Sequence, residues 1–311
     1  MPEIAFHKGE FVPLKDASVG VMTHALHYGT AVFEGIRGNW NEEDETTYIF
    51  RLKEHYERLL SGCKLMRIKV PYTVEELCNI TKELVEKCEY NQDVYIRPLA
   101  YKGAERVAYL DLSKLEDDGF TIVVVPLGDY LDTEKAVNCC TSSYRRMEDY
   151  IIPPHLKISG LYVNSILAKT EAIVAGFDEA ILLNQQGRVS EGTGENIFIY
   201  RNGKLSTPPL IDNLLPGITR DCVVDIVKNE LGFDVEERSI PRSELYLADE
   251  IFLTGTAAHV QGVGSVDNHE IGDGQMGPLT RQIQSLYFDI VTGRNIKYSC
   301  LLYTSDADDE G

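Results

Sequence analysis

Strand-like runs and helical stripes alternate along almost the whole chain, and this alternation limits the possible folds more than any other feature of the sequence. "EIAFHKGEFVPL" has the layout of a hairpin, "TAVFEGIRG" and "TYIFRL" read as strands, and the acidic "NWNEEDE" reads as the exposed turn between them. In "RLKEHYERLLSGCKLM" the residues Leu52, Tyr56, Leu59, Leu60 and Cys63 form a helical stripe. Thr73, with Glu76 three residues on, is a capping box that opens the next helix. "VYIRPLAY" and "FTIVVVPL" follow as buried strands. A Gly- and Asp-bearing stretch, 128–136, interrupts the pattern. Beyond it come strand "VNCCTSSY", helix "YVNSILAKTEAIVAG" closed by Gly176, strand "EAILLN", and strand "NIFIYRNGKL" with an Asn202-Gly203 hairpin turn. A helix from about Ile218 to Leu231, strand "EIFLTGTA" and helix "GPLTRQIQSLYFDIVTG" complete it. The expectation is a mixed α+β protein in two lobes, with a smaller domain over 1–127, a loop over 128–136 and a larger domain over 137–298. Residues 299–311 lack periodicity and capping signals, so they are expected to be a non-native or disordered tail.

Composition narrows the function. The 30 basic and 49 acidic residues give a net charge of −19 over 311 residues, which disfavours nucleic acid and anionic membranes as partners. No apolar run approaches the roughly 20 residues of a membrane helix, and the N-terminus lacks the layout of a secretory signal. The 7 cysteines form no CxxC pair and read as reduced side chains in a cytoplasmic protein. His24 and His27 have helical spacing but no complete ligand set around them, so no metal is expected.

Four segments could carry chemistry. Lys157, in "IPPHLKISGLYVN", stands on a proline-constrained loop that enters a helix. Between Leu156 and Ile158 its amine is expected to be partly desolvated, as an amine nucleophile requires, whereas Lys169 reads as a lysine on a polar helix face. In "GRVSEGTGENIF" Glu191 is followed by Gly192 and Gly194, which would let backbone approach a planar ligand; Glu195 is its nearest rival. In "LLPGITRD" the amides of Ile218 and Thr219 open a helix where an anion could sit. "FLTGTAAH" ends a strand in Thr256 and Ala257. Each alone fits an ordinary turn equally well. Together with Arg58 in "EHYERL" they supply an amine, a carboxylate and a phosphate cradle, which is what pyridoxal 5'-phosphate needs.

With "HALHYGTAVFEGIRG", "YIRPL" and "SELYLADEIFLTGTAA" added, the chain over residues 4–298 resembles the branched-chain amino acid aminotransferases of class IV (fold-type IV). The resemblance implies the two-domain α+β fold of D-amino acid aminotransferase-like enzymes, pyridoxal 5'-phosphate as cofactor, and amino-group transfer between leucine, isoleucine or valine and 2-oxoglutarate. It implies Lys157 as the catalytic amine, Glu191 on the pyridine nitrogen and Tyr162 on the 3-oxygen. Arg58, Ile218, Thr219 and Thr256 would hold the phosphate. Tyr28, Phe33, Gly35, Arg37, Tyr95, Arg97, Tyr130 and Ala257 would line the substrate pocket, with Arg97 the first candidate for the glutamate γ-carboxylate. It further implies a homodimer or larger assembly. Leu127 stands where many relatives carry an aromatic residue. A D-amino-acid aminotransferase, an aminodeoxychorismate lyase and a non-catalytic metabolite-binding protein are the alternatives.

Overall fold

The computed structural model describes residues 3–128 and 134–304. The chain divides into two compact units: 1–128 with 156–160 and 289–311, and 129–155 with 161–288.

The first unit is built on an antiparallel sheet. Val94–Lys102 pairs with Asp118–Pro126 on one side and with Ala31–Phe33 and Ile36–Asn41 on the other. Asp118–Pro126 continues to Ile4–His7, which forms a hairpin with Glu10–Pro13 through Lys8 and Gly9, both at positive φ. The sequence alternates apolar and polar residues here, so one face is buried: Ile96, Ala100, Ile122 and Val124 all lie inside. Phe6, Tyr72 and Phe120 meet edge-on beneath it, with centroids 5.7 and 6.4 Å from Phe6. Helix Leu52–Leu65 buries Leu52, Tyr56, Leu59 and Cys63 of the expected stripe. Helix Val74–Cys88 starts at the expected capping box, with the Glu76 amide donating to Thr73 Oγ1 at 3.2 Å and the Thr73 amide donating to Glu76 Oε2 at 2.7 Å. Such a cap contributes about 1 kcal/mol.

The second unit joins a parallel crossover to an antiparallel meander. Val137–Arg145 runs parallel to Glu179–Leu183, and helix Tyr162–Val174 lies between them in the chain. Ala168 and Ala172 of that helix pack on Cys140, Ala180 and Leu182. The opposite face of the sheet buries Ile181, Leu183, Ile197, Ile199, Ile251, Leu253 and Val263. Asn202 and Gly203 turn the expected hairpin at φ 51° and 77°. Helix Tyr162–Val174 ends at Ala175, with Gly176 just beyond it in the left-handed region at φ 87°.

Three expectations need correction. The larger domain does not run unbroken over 137–298: 156–160 and the chain from 289 onward belong to the first unit. Ile158 bridges Val32 in strand fashion, and this ties the lysine segment to the first sheet. The tail is not wholly unstructured, because Leu302–Thr304 adds an edge strand antiparallel to Thr46–Phe50. Leu302, Tyr303 and Thr304 are strand formers, which the acidic residues after them obscure in the sequence. Lys169 does not stand free in solvent; its Nζ lies 2.6 Å from buried Glu179. Among the described residues no helix is long and apolar enough to cross a membrane.

Candidate active site

The first unit, taken by itself, holds the amine. The Phe33 amide donates to the Lys157 carbonyl at 3.1 Å, and the Gly160 amide donates to the Gly29 carbonyl at 3.1 Å. Gly29 is required there: it sits at φ 66°, and a Cβ on it would come 2.7 Å from the Gly160 Cα. These bonds hold the half-buried Lys157 with its Nζ 5.2 Å from the centroid of the Phe33 ring.

On the strand Val94–Lys102, which pairs with Ala31–Phe33, Tyr95 and Arg97 occupy i and i+2 positions and so share a face. Arg97 Nη2 donates to Tyr95 Oη at 2.7 Å, and the guanidinium lies 4.4 Å from the Phe33 centroid and 5.0 Å from that of Tyr95. Gly35 leaves room for the Tyr95 hydroxyl, which any Cβ there would strike. Among the described residues no carboxylate pairs with Arg97, and its buried Nε has no hydrogen-bond partner. Arg37 differs. Its Nη2 and Nε lie 2.7 and 3.2 Å from Asp93 Oδ2, a carboxylate partner that Arg97 lacks among the described residues. Tyr28 is 39% exposed, and its hydroxyl accepts from the Ala108 amide at 2.8 Å. His24 bonds Thr30 Oγ1 and the Tyr109 carbonyl, and among the described residues no cluster of three or more His, Cys, Asp or Glu could hold a metal.

Arg58 projects from helix Leu52–Leu65 onto Glu34, with Nε 2.6 Å from Oε1 and Nη2 2.8 Å from Oε2. His55 Nδ1 donates to the same carboxylate at 2.8 Å. Burial opposes the charge on Glu34, but Arg58 and His55 outweigh it and hold the carboxyl well below the usual range. Burial also pushes His55 down against the pull of Glu34, helped by the charges of Arg58 and Lys157, which favours a neutral ring.

The second unit, taken by itself, holds a fixed carboxylate and two amide-bearing turns. Glu191, on Val189–Gly192, lies with Oε1 2.8 Å from Arg146 Nη2, while its Oε2 accepts from Asn196 Nδ2 and the Leu215 amide, each at 3.1 Å. Arg146 is steadied by Ser165 at 3.2 Å, on the helix that Tyr162 begins. Asn196 also donates to the Leu215 carbonyl at 2.9 Å and sits opposite Thr254 in the sheet. It thereby draws together the Glu191 strand, the 215–219 turn and the 254–257 turn. Ile218 and Thr219 begin helix Ile218–Ile226 behind Gly217, and both are buried. Gly217 and Gly255 permit the close approach: a Cβ on Gly217 would strike Asn196, and one on Gly255 would come 3.2 Å from the Gly194 carbonyl. Thr254 Oγ1 is buried with no hydrogen-bond partner, and Thr256 and Ala257 follow it, half-buried. Glu195 is a poor anion, because burial and the neighbouring Glu179 push it up to about 8. Tyr130 lies outside the described residues.

Glu34, His55, Arg146 and Asn196 were not singled out from sequence. Glu34 carried one signal, an acidic residue inside the apolar "AVFEGI" run; the others meet partners far along the chain.

The amine and arginine fork of the first unit, and the helix-opening amides and ion-paired carboxylate of the second, are each of a donor type that a phosphorylated pyridine aldehyde takes. Residues 31–266 match the family model for amino-transferase class IV. A probable branched-chain-amino-acid aminotransferase of Aquifex aeolicus (strain VF5) is 50% identical over 301 residues, covering 95% of this chain and 94% of that one. The crystal structure of a branched-chain aminotransferase from Thermoproteus uzoniensis with norvaline superposes with a TM-score of 0.93 at 42% identity, covering 98% of this chain and 100% of that one. The branched-chain amino acid aminotransferase from Thermobaculum terrenum in its PLP-form (holo-form) gives 0.91 at 39% identity, covering 98% and 99%. The chain belongs to the class IV amino-transferases, with their mixed α+β fold, and within them to the branched-chain aminotransferases.

Proposed function

We propose that this protein transfers the amino group between a branched-chain L-amino acid and 2-oxoglutarate, using pyridoxal 5'-phosphate. The observation that carries this reading is the fixed lysine: Lys157 is held through its backbone, with its amine and the Arg97 guanidinium both over the Phe33 ring. The cofactor, when bound, supplies an electron sink for the bond-breaking at the substrate Cα. Arg58, the Ile218 and Thr219 amides and Thr256 would hold its phosphate, Tyr162 would bond its 3-oxygen, and Glu191 would hold a proton on its ring nitrogen. Arg146, with Nη2 2.8 Å from Glu191 Oε1, holds that carboxylate in place. Lys157 would hold the carbonyl end of the cofactor and would move the proton at the substrate Cα.

Phe33, Gly35 and Tyr95 shape the aliphatic end of the pocket, and Arg97 offers a cation to the glutamate γ-carboxylate. Tyr28, Ala257 and Tyr130 complete the substrate contacts. Self-association is supported by helix Tyr162–Val174, which leaves Val163, Ile166 and Val174 at 57%, 60% and 83% exposure. A cytoplasmic setting is supported by cysteines that are all free and, apart from Cys300, buried.

Steady-state kinetics with leucine and 2-oxoglutarate, on the wild type and on Lys157→Ala, test the reading. Turnover in the variant should fall by roughly a thousandfold or more, and borohydride should no longer mark peptide 157. A variant that keeps most of its activity would remove Lys157 from the mechanism.

A further inference from the structure

The roles above leave unused the most deeply buried charge in the first unit. Glu34 has no solvent exposure, and its carboxylate receives four donors: Arg58 Nε and Nη2, His55 Nδ1 and the Gly35 amide. We propose that Glu34, steadied by His55, is the positioning residue that aims Arg58 at the phosphate of the cofactor; this rests on the reading of Arg58 as the phosphate arginine.

An arginine on a helix has many rotamers, and ordering it on binding would cost affinity. The two-point fork with Glu34 fixes the guanidinium plane in the folded protein, so that cost falls on folding rather than on binding. The anchor does not move either. Glu34 hangs from a strand end whose amide donates to the Pro98 carbonyl at 3.0 Å, and His55 holds Oε2 from the same helix that carries Arg58.

Position along the chain adds a second argument. Glu34 lies between Phe33, whose amide and ring hold Lys157, and Gly35, which packs against the Tyr95 hydroxyl. Three consecutive residues therefore fix the amine, the phosphate cation and the substrate tyrosine relative to one another. A carboxylate serving only as a structural counter-ion would have no reason to favour phosphorylated ligands.

The test strips the full-length protein of cofactor and titrates it with pyridoxal 5'-phosphate and with pyridoxal, which lacks the phosphate. Glu34→Gln should weaken the phosphorylated ligand by about ten- to hundredfold and pyridoxal by no more than about twofold. In an Arg58→Met background the same change should have no further effect. Should Glu34→Gln not fold, His55→Leu, which removes one donor and keeps the fork, should give the same selective loss at about two- to fivefold. Equal weakening of both ligands, or no weakening, overturns the proposal. An Arg58→Met protein that binds pyridoxal 5'-phosphate like the wild type overturns the phosphate reading of Arg58 itself, and the proposal with it.

Discussion

A guanidinium laid over two aromatic rings, as Arg97 is over Phe33 and Tyr95, keeps its charge while giving up much of its water. Those are the properties that its proposed role toward a second carboxylate requires. Arg97→Leu should lower kcat/KM for glutamate by about ten- to 150-fold, the worth of one charge-assisted bond of about 1.5–3 kcal/mol. The leucine half-reaction should change only a few-fold, and equal losses in single-turnover assays would sink the assignment. Glu195 poses the opposite problem, a buried acid pushed up to about 8 by its burial and by Glu179. Its folded-state value lies above the ordinary 4.5, so the folded chain binds the proton more tightly than the unfolded one. The resulting stability is full below about pH 4.5 and is lost as pH rises through about 8. Melting curves between about pH 5 and about pH 9 should therefore slope downward in the wild type and flatten in Glu195→Gln. An unchanged slope would place the lost protons on other groups.

Elements were legible where the signal is local. The capping box at Thr73 and the Asn202-Gly203 turn are local devices, written in three or four adjacent residues, and both appear where the sequence places them. The strand His259–Val266 was missed because its partners decide it. Gly262 and Gly264 weaken any strand pattern, yet they are needed where Met276 and the Gly274 carbonyl press against the backbone. The edge strand Leu302–Thr304 was missed for the same reason, since only Thr46–Phe50 makes it a strand. The Arg51 amide also donates to the Leu301 carbonyl at 2.7 Å. Truncation after Tyr298 should thus lower the melting temperature by roughly 2–4 °C for each kcal/mol of edge pairing lost. An unshifted transition in differential scanning calorimetry would show that the edge contributes nothing.

For the whole molecule, the residues that define the chemistry were readable as types, while their fixing partners were not. Lys157 and Glu191 stand out beside prolines and glycines; Glu34 with Arg58, and Arg146 with Glu191, are ion pairs between distant stretches of sequence. The two-lobe expectation failed at its joints for a similar reason, because one bridge between Val32 and Ile158 moves the lysine segment into the first unit. That bridge also has a consequence in time. It closes a loop that includes most of the first sheet and the opening strand of the second, so the entropic cost of forming it comes due only when distant parts of the chain have already been brought close. During refolding, helix and sheet signals can therefore mature while the amine is still wandering, and competence for chemistry waits on that closure.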